Sequence, residues 1–259
     1  MPVAAILNGV LATLRDHSVD VVVFDEESAA ASPSPLLATL PLTQRLDGLI
    51  VMGLPLNESV ANRLRSLAMP TVLLDTADPR FDSVHCDDYA GGRLVAEHLL
   101  GKSHTAFAFI GEAQRSHLYL SPSERRLHGY RAALGDGGHS LPDSSVSTTR
   151  HGTRPAHERA YELLARSDHA SAVFAHDDVL AAGVLRAARD LGLSVLADVA
   201  VVGYDDGELA EALDLTTVRQ PLEESGSVAA NLLMDRLGGG TSSTRDVDLR
   251  LTITERGTT

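Results

Sequence analysis

The chain is poor in the residues that commit a protein to a special class. One cysteine, Cys86, among 259 residues excludes an internal disulfide and fits a reducing cytoplasm. Of the 22 basic residues only Lys102 is lysine, a bias that reflects base composition of the gene and says nothing of mechanism. Prolines number 11, and apolar residues make up 44% against 22% charged, an ordinary globular composition in which nothing suggests a fibre or a disordered tail. No apolar run approaches a membrane span. The opening stretch MPVAAILNGVLATLRDH has no basic leader, so it reads as an amphipathic helix and not as a signal peptide.

Negative charge, by contrast, is abundant. The formal net charge is −13, and such a surface repels phosphate backbones, so these residues are poorly suited to hold nucleic acid by themselves.

Short β-branched runs alternate with helical patterns along a chain long enough for two modest lobes. Strands are expected at Val19–Phe24, Gly48–Met52, Thr71–Asp75, Thr105–Ile110, Ser171–Ala175 and Val199–Gly203. Their nearly continuous apolar character suits parallel strands covered on both faces. Helical periodicity falls at Val3–His17, Asn57–Leu67, Asp88–Leu100, Pro122–Leu134, Pro155–Arg166, Asp178–Leu191 and Leu222–Leu237. Ser121, Pro122 and Glu124 form a capping-box start to one of these helices. Such alternation predicts doubly wound parallel sheets.

Most chemical motifs fail on inspection. Gly101-Lys102-Ser103 resembles the end of a phosphate-binding loop, but position 96, where its first glycine belongs, is Ala96. Neither a G-x-G-x-x-G after a strand nor a G-x-S-x-G elbow occurs. The histidines, 11 in all, lack paired spacing for zinc and read as scattered surface residues. The expectation is therefore no metal, no cofactor and no catalytic set, although plentiful carboxylates leave an acid–base pair open.

Several segments together resemble the LacI/GalR family of bacterial transcriptional regulators. They are Asp47–Ile50, Asp87 through Gly91-Gly92-Arg93-Leu94 to Leu99, Phe107–Gly111, Glu124–Tyr130, Ala172–Ala175 with Asp177-Asp178 and Gly183, Asp198–Asp206, Leu215–Pro221 and Arg250-Leu251. Each is weak alone; their order and spacing over nearly the whole chain are specific. The resemblance implies an α/β fold of two doubly wound Rossmann-like lobes of the type I periplasmic-binding-protein kind. It also implies a small-molecule effector, a sugar or related polyol or nucleoside, held between the lobes where ligands meet the carboxyl ends of parallel strands.

By motif position the resemblance gives effector-binding roles to Arg126, Asp205 and Asp177. A planar guanidinium forks two bonds to adjacent hydroxyls; taken alone, Arg126 could equally pair with a neighbour such as Glu124. Asp205 follows a strand and would accept hydroxyl protons, or cap the short helix after it. Asp177 stands where the family usually has asparagine, which removes an amide donor and adds a charge. His176, where a small residue is more usual, reads as a bystander, with a rim contact as the alternative. The loop Glu112–Leu120 offers Tyr119 and His117 as pocket contacts.

The same resemblance places residues 1–86 with 219–240 in one lobe and 87–218 with 241–259 in the other. It also implies that the first strand of the N-terminal lobe is missing, together with the helix-turn-helix headpiece through which family members bind operator DNA. A cytoplasmic homodimer, with Ile6, Val10, Leu14, Leu64 and Leu67 as candidate contacts and no membrane, completes the expectation. A solute-binding transport protein of the same fold is the alternative.

Overall fold

The computed structural model describes residues 2–24, 46–114, 119–240 and 243–259. In chain order the elements are α1 (Pro2–Leu14), β1 (Leu49–Met52), α2 (Glu58–Ser66), β2 (Thr71–Leu74), β3 (Asp82–His85), α3 (Asp88–Gly101), β4 (Phe107–Glu112), α4 (Pro122–Asp136), β5 (Val146–Thr149), α5 (Thr153–Leu164), β6 (Ala172–Ala175), α6 (Asp178–Asp190), β7 (Ala200–Asp205), α7 (Glu208–Ala212), β8 (Thr216–Arg219), α8 (Leu222–Leu237), β9 (Asp246–Asp248) and β10 (Thr252–Thr254). They fall into two compact units: Met1–Cys86 with Pro221–Leu249, and Asp87–Gln220 with Arg250–Thr259.

Unit 1 carries a four-stranded parallel sheet in the order β1-β2-β3-β9. Residues 243–249, grouped above with the second lobe, lie in this unit, because β9 pairs with β3 through Ser83↔Asp246 and Val84↔Val247; residues 219–220, grouped above with the first lobe, lie in the other unit, where Arg219 pairs with Asp205. Helix α1 packs on α8 and buries Ile6, Val10 and Leu14 within its own unit.

The run Val19–Phe24 is not a strand. Backbone N–H and C=O groups make a ladder only with a neighbour, and among the described residues none pairs with it. Its side chains stay outside, with Val22 and Val23 60% and 62% exposed. Likewise β1 bonds β2 on one edge, and no described residue pairs with the other.

Unit 2 is a six-stranded sheet ordered β10-β8-β7-β6-β4-β5. Every pairing is parallel except β10 with β8. Two cores cover its faces. Phe107, Phe109, Tyr130, Phe174 and Tyr204 dominate one; small residues of α5 and α6, among them Ala156, Ala160, Ala181 and Val184, fill the other.

On the aromatic side α3 and α4 approach so closely that backbone touches backbone. A side chain at Gly92 would run into the Arg126 carbonyl, and one at Gly129 into the Tyr89 carbonyl. Gly129→Ala should therefore lower the unfolding free energy by about 1–3 kcal/mol through overpacking. Gly135→Ala, on the same helix with nothing near it, should raise it by about 0.5 kcal/mol. Denaturant melts of the two variants read the contrast; equal effects would refute the close contact.

Candidate functional site

The polar groups of unit 2 gather at the carboxyl ends of β6, β7 and β8 and at the first turns of α3 and α4. Local sequence explains how each arrives. Ser121 caps α4, its hydroxyl accepting from the Glu124 amide at 3.3 Å, and Pro122 follows in the first turn. Arg126 then stands one turn in and is buried, 6% exposed. Asp87 caps α3 by accepting from the Ala90 amide at 3.0 Å, which leaves Asp88 in the first turn facing α4.

Arg126 is saturated on three sides. Its Nε donates to Asp88 Oδ1 at 2.8 Å, and its Nη1 donates to the His176 carbonyl at 2.7 Å. The guanidinium carbon lies 3.5 Å from the centroid of the Tyr204 ring. Burial works against its charge, but Asp88 and the neighbouring groups outweigh burial and hold the guanidinium firmly protonated. Among the described residues nothing accepts from Nη2. The pairing with Glu124 considered from sequence is replaced by Asp88, which faces Arg126 across the α3–α4 contact.

His176 lies against the same guanidinium. Its Nδ1 sits 3.3 Å from Arg126 Nη1, and burial together with the guanidinium pushes its pKa down to about 3. A neutral ring in that place turns a lone pair toward the arginine.

Asp177 uses both carboxylate oxygens on the protein. Oδ1 accepts from the Leu180 amide at 2.7 Å and so caps α6; Oδ2 meets His151 Nε2 at 2.7 Å. Burial tends to raise the Asp177 carboxyl, yet the His151 bond and the cap hold it below the usual carboxylate range. The bond to Asp177 raises the His151 pKa above that of free histidine.

Asp205 ends β7 in a backbone conformation with φ of 115°, sterically costly for any residue with a side chain. It does not cap the next helix, whose N-cap is Gly207. Its Oδ1 accepts from Gln220 Nε2 at 2.6 Å. Burial, little offset by Arg126, pushes its pKa up to about 7. Asp178 is raised by burial to about 6; its oxygens accept from the Thr217 hydroxyl at 2.6 Å and the Gly207 amide at 3.2 Å.

The structure thus gathers Arg126, Asp177 and Asp205 at one end of the unit 2 sheet. Tyr119 is half-buried, and its carbonyl accepts from Gln114 Nε2 at 2.6 Å; no described contact ties its ring to the cluster. His117 lies outside the described residues. Sequence reasoning did not single out Asp88, His151 and Gln220, which bond Arg126, Asp177 and Asp205 in this cluster. Gln220 stands inside a quoted motif, whereas His151 and Asp177 are too far apart in sequence for spacing to reveal their pairing. Among the described residues no group of three or more His, Cys, Asp or Glu side chains could hold a metal ion, and no helix is long and apolar enough to cross a membrane.

Two α/β units of this topology define a ligand-binding protein of the periplasmic-binding-protein kind. The family model "Periplasmic binding protein-like domain" matches residues 96–259. The ribose operon repressor of Escherichia coli (strain K12) is 30% identical over 257 residues, covering 97% of this chain and 76% of the repressor. A solved complex of the transcriptional regulator CelR with cellobiose matches 100% of this chain and 79% of its own, with a TM-score of 0.84 and 28% identity. A LacI family transcriptional regulator from Enterococcus faecium with bound ribose matches 100% and 94%, with a TM-score of 0.84 and 25% identity. The chain belongs to the LacI family of transcriptional regulators.

The Asp205 carboxyl sets a stability signature. A folded pKa raised from 3.8 to about 7 favours the folded state below 3.8 and costs it stability as pH rises through 7. Asp205→Asn keeps an oxygen for Gln220 and removes the charge. It should therefore stabilise the ligand-free protein at pH 8, by about 1–3 kcal/mol, and change little at pH 4. Melts at both values decide; an equal effect at the two would contradict the raised carboxyl.

Proposed function

We propose that this chain is the effector-sensing core of a bacterial transcriptional regulator, and that it binds a hydroxyl-bearing small molecule at the Arg126–Asp205 cluster. One observation carries the reading. Arg126 is buried and oriented by Asp88, the His176 carbonyl and the Tyr204 ring, yet Nη2 keeps two N–H donors unused among the described residues. Donors already held in place bind a ligand oxygen with little further ordering cost. Asp205 and Gln220 supply an acceptor and a donor beside it. This is recognition chemistry for a sugar, polyol or nucleoside, and it requires no turnover.

The regulator relatives favour sensing over solute transport. Their names support the ligand class as well, since one represses a ribose operon and solved neighbours hold cellobiose and ribose. The sensing core would act on operator DNA through a separate headpiece in the full-length protein, because a formal charge of −13 opposes direct DNA contact. The setting would be cytoplasmic.

Calorimetric titration of sugars and nucleosides tests the site. Arg126→Ala leaves Asp88 buried without its partner, so Arg126→Lys serves as the companion variant: it keeps a charge and loses the planar fork. Both should weaken binding at least about tenfold, the loss of one charge-assisted bond of about 1.5–3 kcal/mol. Wild-type affinity in either folded variant would sink the assignment.

Assembly as a homodimer is part of the same proposal, with a changed surface. Ile6, Val10, Leu14 and Leu64 are buried inside unit 1, and of the expected contacts only Leu67 is exposed. The outer face of α1, a helix without any charged residue, instead presents Val3 and Leu11, 53% and 43% exposed. Leu11→Asp should convert a sedimenting dimer of the full-length protein to monomer; a dimer unaffected by it would place the interface elsewhere.

A further inference from the structure

The site is short of positive charge, and that restricts its ligand. Four aspartates at the cluster, Asp88, Asp177, Asp178 and Asp205, are each at most 8% exposed. Two of the cations beside them share a single carboxylate. Arg126 faces Asp88 at 2.8 Å, and Arg125 Nε reaches the other oxygen of the same carboxylate at 3.3 Å. His151 faces Asp177 at 2.7 Å. His176 contributes no charge, because the arginine beside it and its own burial keep the ring neutral.

Asp178 and Asp205 receive only neutral donors: the Thr217 hydroxyl, the Gly207 amide and the Gln220 carboxamide. Glu112, at the end of β4, adds an exposed carboxylate whose charge, like that of Asp205, is felt at His151. A ligand anion would thus approach one half-neutralised guanidinium and two carboxylates, Asp178 and Asp205, that no cation bonds, Arg126 acting on Asp205 only through space.

We propose that this site accepts an uncharged, hydroxyl-rich ligand and rejects sugar phosphates and sugar acids, because the two cations of unit 2 that hydrogen-bond within the cluster, Arg126 and His151, are each bonded to a carboxylate, while Asp178 and Asp205 accept only from neutral donors. The inference rests on the reading of the Arg126–Asp205 cluster as the effector site, and deepens it to a ligand class. Like charges several ångströms apart in a poorly solvated site repel strongly enough to cost one to two orders of magnitude in affinity. Burial raises Asp205 to about 7 and Asp178 to about 6, as expected where positive charge is scarce.

The test is titration calorimetry on the folded chain at pH 8 with matched pairs. D-glucose is set against D-glucuronate, D-galactose against D-galacturonate, and D-ribose against D-ribose 5-phosphate. The first two pairs exchange a hydroxymethyl for a carboxylate of nearly the same bulk, which separates charge from size. For each neutral sugar that binds, the anionic partner should bind at least about thirtyfold more weakly. In Asp205→Asn that ratio should fall about tenfold, whatever the variant does to the neutral sugar itself. An anion that binds as tightly as its neutral partner overturns the inference, as does a ratio unchanged in Asp205→Asn, which would mark exclusion by shape. If neither member of any pair binds the folded protein, and neither cellobiose nor a nucleoside does, the effector reading itself falls and takes this inference with it.

Discussion

A buried guanidinium is the constraint on which the rest of unit 2 depends. Removing a charge from water costs several kcal/mol even after a protein relaxes around it, so Arg126 can stay 6% exposed only if its surroundings answer it closely. Three different elements do so. The first turn of α3 provides Asp88, the end of β6 provides the His176 carbonyl, and β7 provides the Tyr204 ring. Each is held by ordinary packing: Tyr204 and Phe174 belong to one aromatic core, and α3 is pinned to α4 at Gly92 and Gly129. Loosening that helix contact would move Asp88 away from the charge it balances. The glycines therefore act on the site through distance, although neither reaches it.

The arrangement repeats in form elsewhere. In unit 1, α1 and α8 also meet backbone to backbone, with Gly9 against the Glu223 carbonyl and Gly226 against that of Ile6. In the same unit Asp82 is fully buried and answered by Arg236 at 2.7 Å and Arg245 at 3.5 Å. There the ion pairs join β3 to α8 and to the segment leading into β9, so chain segments distant in sequence are closed into one unit. The two units thus use buried charge differently: unit 1 joins segments through Arg236 and Arg245 at Asp82, and unit 2 leaves part of one arginine unanswered.

Much of this was legible in the sequence wherever a local pattern carries it. Continuous apolar runs such as Ala172–Ala175 and Ala200–Gly203 are strands because both faces are covered, and α8 has the predicted bounds. Val19–Phe24 shows the limit. Its composition is that of a strand, but a strand is a property of a pair, and composition cannot supply the neighbour. The short polar strand Asp82–His85 was missed for the opposite reason, since its apolar content is low and its pairing with β2 makes it a strand. In the candidate cluster, Arg126, Asp177 and Asp205 were marked by motif position, and the structure brings them together at one end of the unit 2 sheet. Asp88 and His151 were not, because each gains its role from a partner, Arg126 or Asp177, that sequence distance hides.

Ligand-free Asp205 combines two costs: φ of 115° and a carboxyl pushed to about 7 by burial. Neither helps the fold, and both are tolerable because β7 is bonded on both sides, to β6 and to β8. Such costs persist where the surrounding structure over-determines a residue, and they concentrate at functional sites. On the proposed reading they also give the ligand something to act on. A hydroxyl donating to the Asp205 carboxylate favours its charged form, so the ligand and a proton compete for the same oxygens. Near pH 7 the free site is partly protonated, and the occupied site is less so. Binding should therefore release a fraction of a proton and strengthen as pH rises through 7. The measured heat of binding should then vary with the ionisation enthalpy of the buffer, whereas in Asp205→Asn, which has no carboxyl to titrate, this contribution should disappear.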